Sequence, residues 1–342
     1  MKKKASIHDI ARQLKVSATT VSFILNGKAE EKRISSGLEK SVLEYVRSIG
    51  FQRNQIAQSL RTGKTKIIGM LVEDIADPFF SAIARIVEEQ AYKEGYKIFN
   101  SSTENDMHKA KALIRVLRER QVDGYIIAPT NGIEADIQLL IEDNFPVVLF
   151  DRYFPGLATQ NVVVDNTGGA YNAVNHLFEN NCVHIALVTL ESEQVQMQNR
   201  LNGYLRCINE NQLTQYILRI PYNLTHEERA YLINSFLTAH PALDGILFAT
   251  NYLAISGLEA IQQLSLSIPE DIAIVGFDDN THFALFSPSI SAVAQPIAAM
   301  SEKVIEKLMT RLSAEDKTTV RETIVLPTQL IVRQSSRRGS IV

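Results

Sequence analysis

Two short helical patterns joined by a tight turn occupy residues 6–27, SIHDIARQLKVSATTVSFILNG. Ser6 and Ser17 each stand directly before a run of apolar residues at helical spacing, where an N-cap residue is expected. Asn26 and Gly27 tolerate the left-handed backbone that ends a helix. A third helical pattern follows and ends at Gly50. Together these patterns predict a helix-turn-helix domain over residues 1–50.

The second helix of such a domain carries the side chains expected to meet DNA. In helix-turn-helix proteins this helix lies in the major groove, with its N-terminal residues against the base edges. Small polar side chains that could reach phosphates and base edges stand at this end: Ser17, Thr19, Thr20 and Ser22. The alternative is a small helical bundle with no role in nucleic-acid binding.

The distribution of charge favours the DNA-binding interpretation. Residues 1–66 contain fourteen Lys or Arg and five Asp or Glu, a net charge of +9 in a chain whose net charge is −3. The remaining 276 residues therefore carry −12. A basic head on an acidic body predicts a head that binds a polyanion, although a solvated basic surface would have the same composition.

The chain is expected to be cytoplasmic. Its basic start, Met1 to Lys4, is followed at once by polar residues rather than by the apolar core of a signal peptide. The apolar runs are far shorter than the roughly 20 residues that span a bilayer. Cys182 and Cys207 lie in apolar segments, which favours buried, reduced thiols.

The longer region that follows is predicted to form two α/β lobes. Residues 51–66 form a linker with a short helical pattern, and from residue 67 onward strand and helix patterns alternate, as in parallel sheets with right-handed crossovers. The series restarts near residue 160, and VDGYIIA at 122–128 resembles LDGILFA at 243–249. We predict one lobe over about 67–160 and 292–325 and a second over about 161–291 and 326–342. A cleft is expected at the carboxyl ends of their strands.

Polar and aromatic side chains follow the predicted strands and are candidates for lining that cleft. They are Asp74, Asp77, Phe79, Phe80, Asp151, Arg152, Tyr153, Phe154, Asn251, Phe277, Asp278 and Asp279. Carboxylates, amides and guanidinium groups bind hydroxyl pairs, and flat rings pack on the apolar face of a sugar, so this set predicts a small polyhydroxylated ligand. The alternative is that the Asp residues simply cap the next helix, which we favour for Asp165 and Asp279.

The sequence carries no motif of a catalytic site. The seven histidines show no metal-ligand spacing, and neither a Gly-x-Ser-x-Gly elbow nor a Gly-x-Gly-x-x-Gly loop occurs. We therefore expect no enzyme activity, no metal and no cofactor.

Several motifs in the same order resemble the lactose-repressor (LacI/GalR) family of bacterial transcription regulators. In the head they are Ile7-His8-Asp9-Ile10-Ala11, Val16-Ser17-Ala18-Thr19-Thr20-Val21-Ser22 and Leu25-Asn26. The segment Asn54-Gln55-Ile56-Ala57-Gln58-Ser59-Leu60 is similar to the hinge helix of the family. Asp77-Pro78-Phe79-Phe80, Arg200-Leu201-x-Gly203-Tyr204 and Val275-Gly276-Phe277-Asp278-Asp279 are similar to its effector-domain motifs. The resemblance covers essentially the whole chain.

The resemblance implies a sequence-specific regulator, by base rate a repressor. Its all-α head would be joined to two Rossmann-like lobes of periplasmic-binding-protein type. A homodimer would place two heads in successive major grooves of a near-palindromic operator, and paired hinge helices would insert Leu60 as a wedge into the minor groove. The DNA-binding residues implied are Ser6, Ser17, Ala18, Thr19, Thr20, Ser22, Phe23, Asn26, Asn54, Ala57 and Leu60.

The resemblance also implies a small-molecule effector, usually a sugar or sugar phosphate and more rarely a purine or nucleoside. The effector-binding residues expected from it, together with the strand-end pattern, are Asp77, Phe79, Phe80, Asp151, Arg152, Arg200, Asn251, Phe277 and Asp278. Asp151 and Asp278 argue against a phosphate, whereas Arg152 and Arg200 argue for one, so both ligand classes stay open.

Three positions depart from the family pattern. Phe23 stands where many members carry an arginine that reads guanine, so its ring either touches a thymine methyl group or packs inward. Arg53 replaces a common proline before the hinge helix, and Tyr252 replaces a usual acidic residue after Asn251.

Two other classes of protein remain as alternatives: a sugar-receptor-type binding protein without DNA function, and an α/β enzyme acting on sugars.

Overall fold

A computed structural model describes residues 6–51, 63–314 and 321–338 of the 342-residue chain. The chain divides into two compact units, one ending at Thr65 and the other beginning at Lys66. The predicted hinge residues Asn54, Ala57 and Leu60 lie outside the described residues.

The described residues of the first unit form three helices, α1 (Ile7–Gln13), α2 (Ala18–Leu25) and α3 (Ser36–Ser48). Ser6 caps α1 in a reciprocal capping box with Asp9, and the Ser17 side chain caps α2 by accepting from the Thr20 amide. Ile10, Val21 and Val42, one from each helix, are fully buried and form the centre of a small apolar core. The sequence prediction of a three-helix unit with a helix-turn-helix arrangement is confirmed.

The second unit begins with a six-stranded parallel sheet. Its elements in chain order are β1 (Ile67–Val72), α4 (Pro78–Lys93), β2 (Lys97–Ser102), α5 (Met107–Glu119), β3 (Gly124–Ile127), α6 (Glu134–Glu142), β4 (Val147–Phe150) and β5 (Gln160–Val164). A late strand, β11 (Glu322–Leu326), completes the sheet in the order β11-β5-β4-β3-β1-β2. The pairs are parallel, as the alternation of strands and helices predicts.

The second lobe repeats this design. Its elements are α7 (Asn166–Glu179), β6 (Ile185–Leu190), α8 (Val195–Glu210), β7 (Tyr216–Ile220), α9 (His226–Ala239), β8 (Gly245–Phe248), α10 (Asn251–Gln263), β9 (Ala273–Phe277), a 3-10 turn (Thr281–Ala284), β10 (Ser291–Ala294), β12 (Gln329–Ile331) and a second 3-10 turn (Gln334–Ser336). The sheet order is β12-β10-β9-β8-β6-β7, and only β12 pairs antiparallel among its described strands. Helix α11 (Ile297–Ser313) packs back on the first lobe against α4.

The chain crosses between the lobes three times. The crossings follow Val164, Ala294 and Leu326, because β5 and β11 pair in the first sheet while β10 and β12 pair in the second. The lobe limits predicted at about 160 and 292 therefore shift by four and three residues, to 164 and 295. The prediction divided β5 between the two lobes, because its buried run of valines has no feature that shows which sheet the strand joins.

None of the helices in the described ranges has both the length and the apolar character needed to cross a membrane.

Candidate functional site

The exposed side of α2 is the candidate nucleic-acid surface of the head. Ser17 and Thr19 are exposed, and Thr19 is followed one turn later by Phe23 on the same side of the helix. Ala18, which resemblance places among the base-reading residues, is half-buried and packs against the head core. The structure therefore offers Thr19 more openly than Ala18 and Phe23, which are both half-buried.

Several of the predicted DNA-binding side chains hold the helix ends. The Ser17 and Thr20 hydroxyl oxygens lie 2.8 Å apart, and the Asn26 amide donates to Ser22 Oγ at 3.3 Å. Ser6 Oγ donates to Asp9 Oδ2 at 2.7 Å. These bonds fix the start of α1 and both ends of α2, so the five residues shape the presentation of the helix whether or not they also touch DNA.

Phe23 does not pack inward. Its side chain is half-buried but stands outside the apolar cluster of the head, and the Lys32 ammonium lies 5.5 Å from its ring centroid. This arrangement favours the first of the two alternatives left by the sequence, in which the ring is available to DNA.

In the second unit, three Asp residues converge at the carboxyl ends of strands from both lobes. Asp77 precedes α4 and accepts from the Phe79 amide at 2.8 Å as its N-cap. Asp151 follows β4 and Asp278 follows β9, and both have left-handed backbones, with φ of 64° and 70°. Asp is among the few side chains that adopt this conformation readily, which allows an abrupt turn directly after a buried strand.

Arg200 is the central cation of the second lobe. It is 2% exposed, and its guanidinium group stacks on the Phe277 ring at 3.7 Å. Its Nε donates to Asn166 Oδ1 at 2.8 Å, its Nη1 to the Ala249 carbonyl oxygen at 2.6 Å, and its Nη1 and Nη2 to the Asp278 carboxylate at 3.2 and 3.4 Å. Every guanidinium nitrogen is therefore engaged.

Close helix packing places Arg200. Gly203 follows it by one turn, and a Cβ at that position would collide with the Thr167 carbonyl oxygen on α7. Glycine therefore lets α8 approach α7 closely enough for Arg200 to reach Asn166.

Arg152 lies behind the cleft and contacts both lobes. Its Nη2 donates to Glu73 Oε2 at 2.8 Å and its Nη1 to Gln194 Oε1 at 2.6 Å. Gln194 in turn donates to Asn105 Oδ1 at 3.1 Å. A second bridge runs from Asn251 Nδ2 to Asp77 Oδ2 at 3.2 Å. These contacts hold the lobes in a closed arrangement.

Seven of the nine predicted effector residues line one cavity between the lobes: Asp77, Phe79, Phe80, Asp151, Arg200, Asn251 and Asp278. The other two do not line it, since Phe277 lies beneath Arg200 and Arg152 is turned toward Glu73 and Gln194. The cavity has further walls that sequence reasoning did not assign: Glu73, Leu190, Gln194, Gln196, Met197, Thr250, Tyr252 and Gln295. Glu73, Thr250 and Gln295 follow strands β1, β8 and β10, so the strand-end rule would have found these three if it had been applied to every strand. Gln196, Met197 and Tyr252 lie on helices, where that rule does not reach.

The closed cavity is small and acidic. Its volume is about 30 Å³, close to the space of one water molecule, so a ligand of sugar size needs the lobes or the lining side chains to move. Four carboxylates line it, from Glu73, Asp77, Asp151 and Asp278, whereas Arg200 is the guanidinium group in its wall and Arg152 pairs with Glu73 from behind it. Burial, reinforced by the charge of Asp278, raises the pKa of Asp77 to about 6. Burial also raises the pKa of Asp151 to about 6, against the opposing effect of Arg152.

The described residues form neither a metal-binding group nor a reactive thiol. No group of three or more His, Cys, Asp or Glu side chains there is placed to hold a metal ion. Cys182 and Cys207 are free and buried, and burial raises the pKa of Cys182 to about 12 and that of Cys207 to about 11. Neither thiol would ionise near neutral pH.

Comparison with known proteins connects both sites to one family. Residues 6–54 match the profile of bacterial regulatory proteins of the lacI family, and residues 174–336 match that of the periplasmic binding protein-like domain. The chain is 30% identical over 336 residues to the HTH-type transcriptional repressor PurR of Aliivibrio fischeri strain ES114, a match that covers 97% of this chain and 98% of that protein.

Two solved structures extend the likeness. The lac repressor dimer bound to operator and the anti-inducer ONPF matches 98% of this chain and 99% of its own, with a TM-score of 0.86 at 20% identity, which is a likeness of fold. The periplasmic binding protein/LacI transcriptional regulator of Alkaliphilus metalliredigens, complexed with D-xylulofuranose, matches 79% of this chain and 98% of its own, with a TM-score of 0.70 at 26% identity.

Proposed function

The chain belongs to the lacI family of bacterial regulatory proteins and is thus a DNA-binding transcription regulator rather than an enzyme. We propose that an uncharged, hydroxyl-rich ligand in its cleft controls its affinity for an operator. The single observation that carries this ligand class is the surplus of hydrogen-bond acceptors in the cavity wall. Repression is the expected outcome of DNA binding, as in the named relative.

The acceptor surplus goes beyond the carboxylates. Gln196 and Gln295 line the cavity, are 3% and 8% exposed, and each has an Oε1 atom that accepts no hydrogen bond from the described residues. A buried acceptor without a donor is costly. A ligand with several hydroxyl groups would supply donors to these amides and to Asp77 and Asp151.

A phosphorylated ligand is disfavoured by the same geometry. Both guanidinium groups already pair with carboxylates, Arg152 with Glu73 at 2.8 Å and Arg200 with Asp278 at 3.2 Å. A phosphate would have to displace a buried carboxylate from its cation and would stand among the remaining negative charges. Of the two ligand classes that the sequence left open, we therefore favour the free sugar or a similar neutral polyol.

The raised pKa of Asp77 predicts a pH dependence of ligand affinity. Ligand hydroxyl groups donate better to the ionised carboxylate, so binding should favour the deprotonated form and weaken as the pH falls below about 6. Titration calorimetry at pH 7.5, 6 and 5 should show a loss of about twofold between the first two values and about fivefold more by pH 5, for one linked proton. Asp77→Asn should give weaker but less pH-dependent binding, and an unchanged pH profile in this variant would remove Asp77 from the linkage.

The raised pKa values of Asp77 and Asp151 also make the stability of the folded protein depend on pH. Because the folded-state pKa values of Asp77 and Asp151 lie above the usual value of 3.8, the folded protein binds more protons than the unfolded chain between about pH 4 and 6. Their contribution to the free energy of unfolding therefore falls as the pH rises through that window.

We assign the operator contacts to the exposed side of α2 and, by resemblance, to Asn54, Ala57 and Leu60 of the hinge segment. A homodimer on a near-palindromic operator would give each half-site one head, as is typical of dimeric helix-turn-helix proteins. Operator binding also places the protein in the cytoplasm.

An exposed apolar region of the second unit supports a dimer. Leu285 is 80% exposed, and it lines a groove of about 360 Å³ together with Pro78, Tyr252, Ile255 and Phe286. The polar part of this lining comes from Asp77 and Asn251, which also line the cavity between the lobes, and from Asn280 and His282. Such surface is expected to be covered, and a second copy of the chain is the occupant consistent with the dimer of the lac repressor structure.

Leu285→Glu is expected to dissociate this dimer. The change would place a charge at an apolar contact twice in a symmetric interface, at a cost of at least about 3 kcal/mol, or roughly a hundredfold in the dimer Kd. Sedimentation velocity over a concentration series measures the effect. Tyr231→Glu, at a 71% exposed residue on α9, is the matched control, and equal dissociation constants for the two variants would exclude Leu285 from the interface.

The experiment that tests the proposed function is selection of duplexes from a random pool by the full chain, repeated with neutral sugars and their phosphates. The panel includes D-xylulose because of the structural relative. We expect an enriched sequence whose binding is altered by a neutral member. Failure to enrich any sequence would contradict the DNA-binding assignment, and a response only to phosphates would contradict the ligand class.

A further inference from the structure

Phe23 presents an apolar ring on the side of α2 that carries the candidate DNA contacts. It follows the exposed Thr19 by one helical turn, and its ring stands outside the apolar cluster formed by the three helices of the head. The ring is half-buried and is not part of that cluster, so its exposed part is available to a partner.

The loop after α2 is built to hold a cation against this ring. Ala29 is 2% exposed and anchors the loop, and its carbonyl oxygen accepts from the Ile34 amide at 2.8 Å. The Lys32 amide donates to the Lys28 carbonyl oxygen at 3.0 Å. In this loop the Lys32 ammonium lies 5.5 Å from the Phe23 ring centroid and 2.8 Å from Glu31 Oε1. The side chain of Lys32 remains 41% exposed and can still approach an anion.

We propose that Phe23 and Lys32 act together on DNA: the Phe23 ring packs on the methyl group of one thymine in each half-site, and the Lys32 ammonium neutralises a phosphate beside that base. The inference rests on the proposed DNA binding of the head and adds the base that this chain selects. A phenylalanine has no donor or acceptor for a base edge, and the C5-methyl group of thymine is the apolar group that the major groove offers.

The proposed contacts also explain why Lys32 stands beside Phe23. The Phe23 ring would be free to touch the methyl group of the base, while the Lys32 ammonium would reach a phosphate of the DNA backbone. An arginine at position 23 would instead select guanine through its two donors.

The test of the base contact uses deoxyuridine, which differs from thymidine only by the lost methyl group. A duplex enriched by the full wild-type chain is resynthesised with deoxyuridine at each half-site thymine in turn. At one position we expect wild-type affinity to fall about fourfold per half-site, the value of one buried methyl group. Phe23→Ala should bind more weakly and show no difference between the two bases there, while Phe23→Leu should keep part of the difference.

Lys32 is tested by the salt dependence of binding. Lys32→Gln should lower the slope of log affinity against log salt by about 0.9 for each head, with the thymine preference retained. Lys40→Gln, on α3, removes the same charge elsewhere on the head and should change the slope less. Equal slopes for the two variants would refute a local phosphate contact by Lys32.

The outcomes distinguish a failure of the proposed DNA binding from a failure of the Phe23 contact. If no duplex is enriched, the proposed DNA binding fails and this inference fails with it. If a duplex is enriched but no thymine position distinguishes wild type from Phe23→Ala, DNA binding stands and the Phe23 contact is wrong.

Discussion

Arg200→Ala is expected to abolish ligand binding and with it the response of DNA binding to the ligand. Arg200 joins α8 to Asn166, to the Ala249 carbonyl oxygen and to the Asp278 carboxylate, and it forms part of the cavity wall. Its removal takes away the cation that orients Asp278 and opens a void above the Phe277 ring.

The same change should destabilise the second unit. Asp278 would be left as a largely buried carboxylate without its cation, and breaking such a pair from one side costs about 3–5 kcal/mol. Thermal unfolding of the full chain measures this loss.

A double variant separates stability from ligand recognition. Arg200→Met combined with Asp278→Asn removes both charges and should recover much of the lost free energy of unfolding, because no unpaired charge remains. Ligand binding should stay absent in the double variant. A normal ligand response in either variant would exclude Arg200 from the site.

A chain that begins at Lys66 is expected to fold, bind ligand with unchanged affinity and lose DNA binding completely. The contacts of the chain divide it at Thr65 and Lys66, and the second unit contains both sheets and the whole cavity wall. All of the described residues assigned to DNA lie in the first unit. Titration of the enriched duplex and of the ligand with residues 66–342 measures both properties.

The control for this truncation is the full chain under the same conditions. Its ligand affinity in the absence of DNA should equal that of the truncated chain. An unfolded product would contradict the boundary, and retained operator affinity would contradict the assignment of DNA binding to the head.

The sequence was sufficient to predict the elements and seven of the fifteen residues that line the cavity. Capping serines define the starts of α1 and α2, and the strand-end rule found Asp77, Asp151 and Asp278, because polar residues directly after buried parallel strands are forced to the same edge of a sheet. These are local patterns with a fixed geometric consequence.

Features that depend on distant partners were not predictable. The orientation of Arg152 is set by Glu73 and Gln194, which are 79 and 42 residues away, so its strand-end position suggested a ligand contact that the structure does not provide. Likewise, the outward position of Phe23 depends on how three helices share a small core, and its contact with Lys32 depends on the loop conformation. Gln295 directly follows β10 and was missed because the strand-end rule was not applied to that strand.

The central claim is that a ligand bound in the cleft changes the affinity of the head for DNA. Coupled titrations of ligand and duplex test this claim most directly. The affinity of the full chain for its enriched duplex is measured with and without saturating ligand, and the affinity for ligand with and without saturating duplex. Since coupling between two sites is reciprocal, we predict the same factor in both directions, about 5- to 150-fold. A duplex affinity that does not change with ligand, for a chain that demonstrably binds both, would contradict the account.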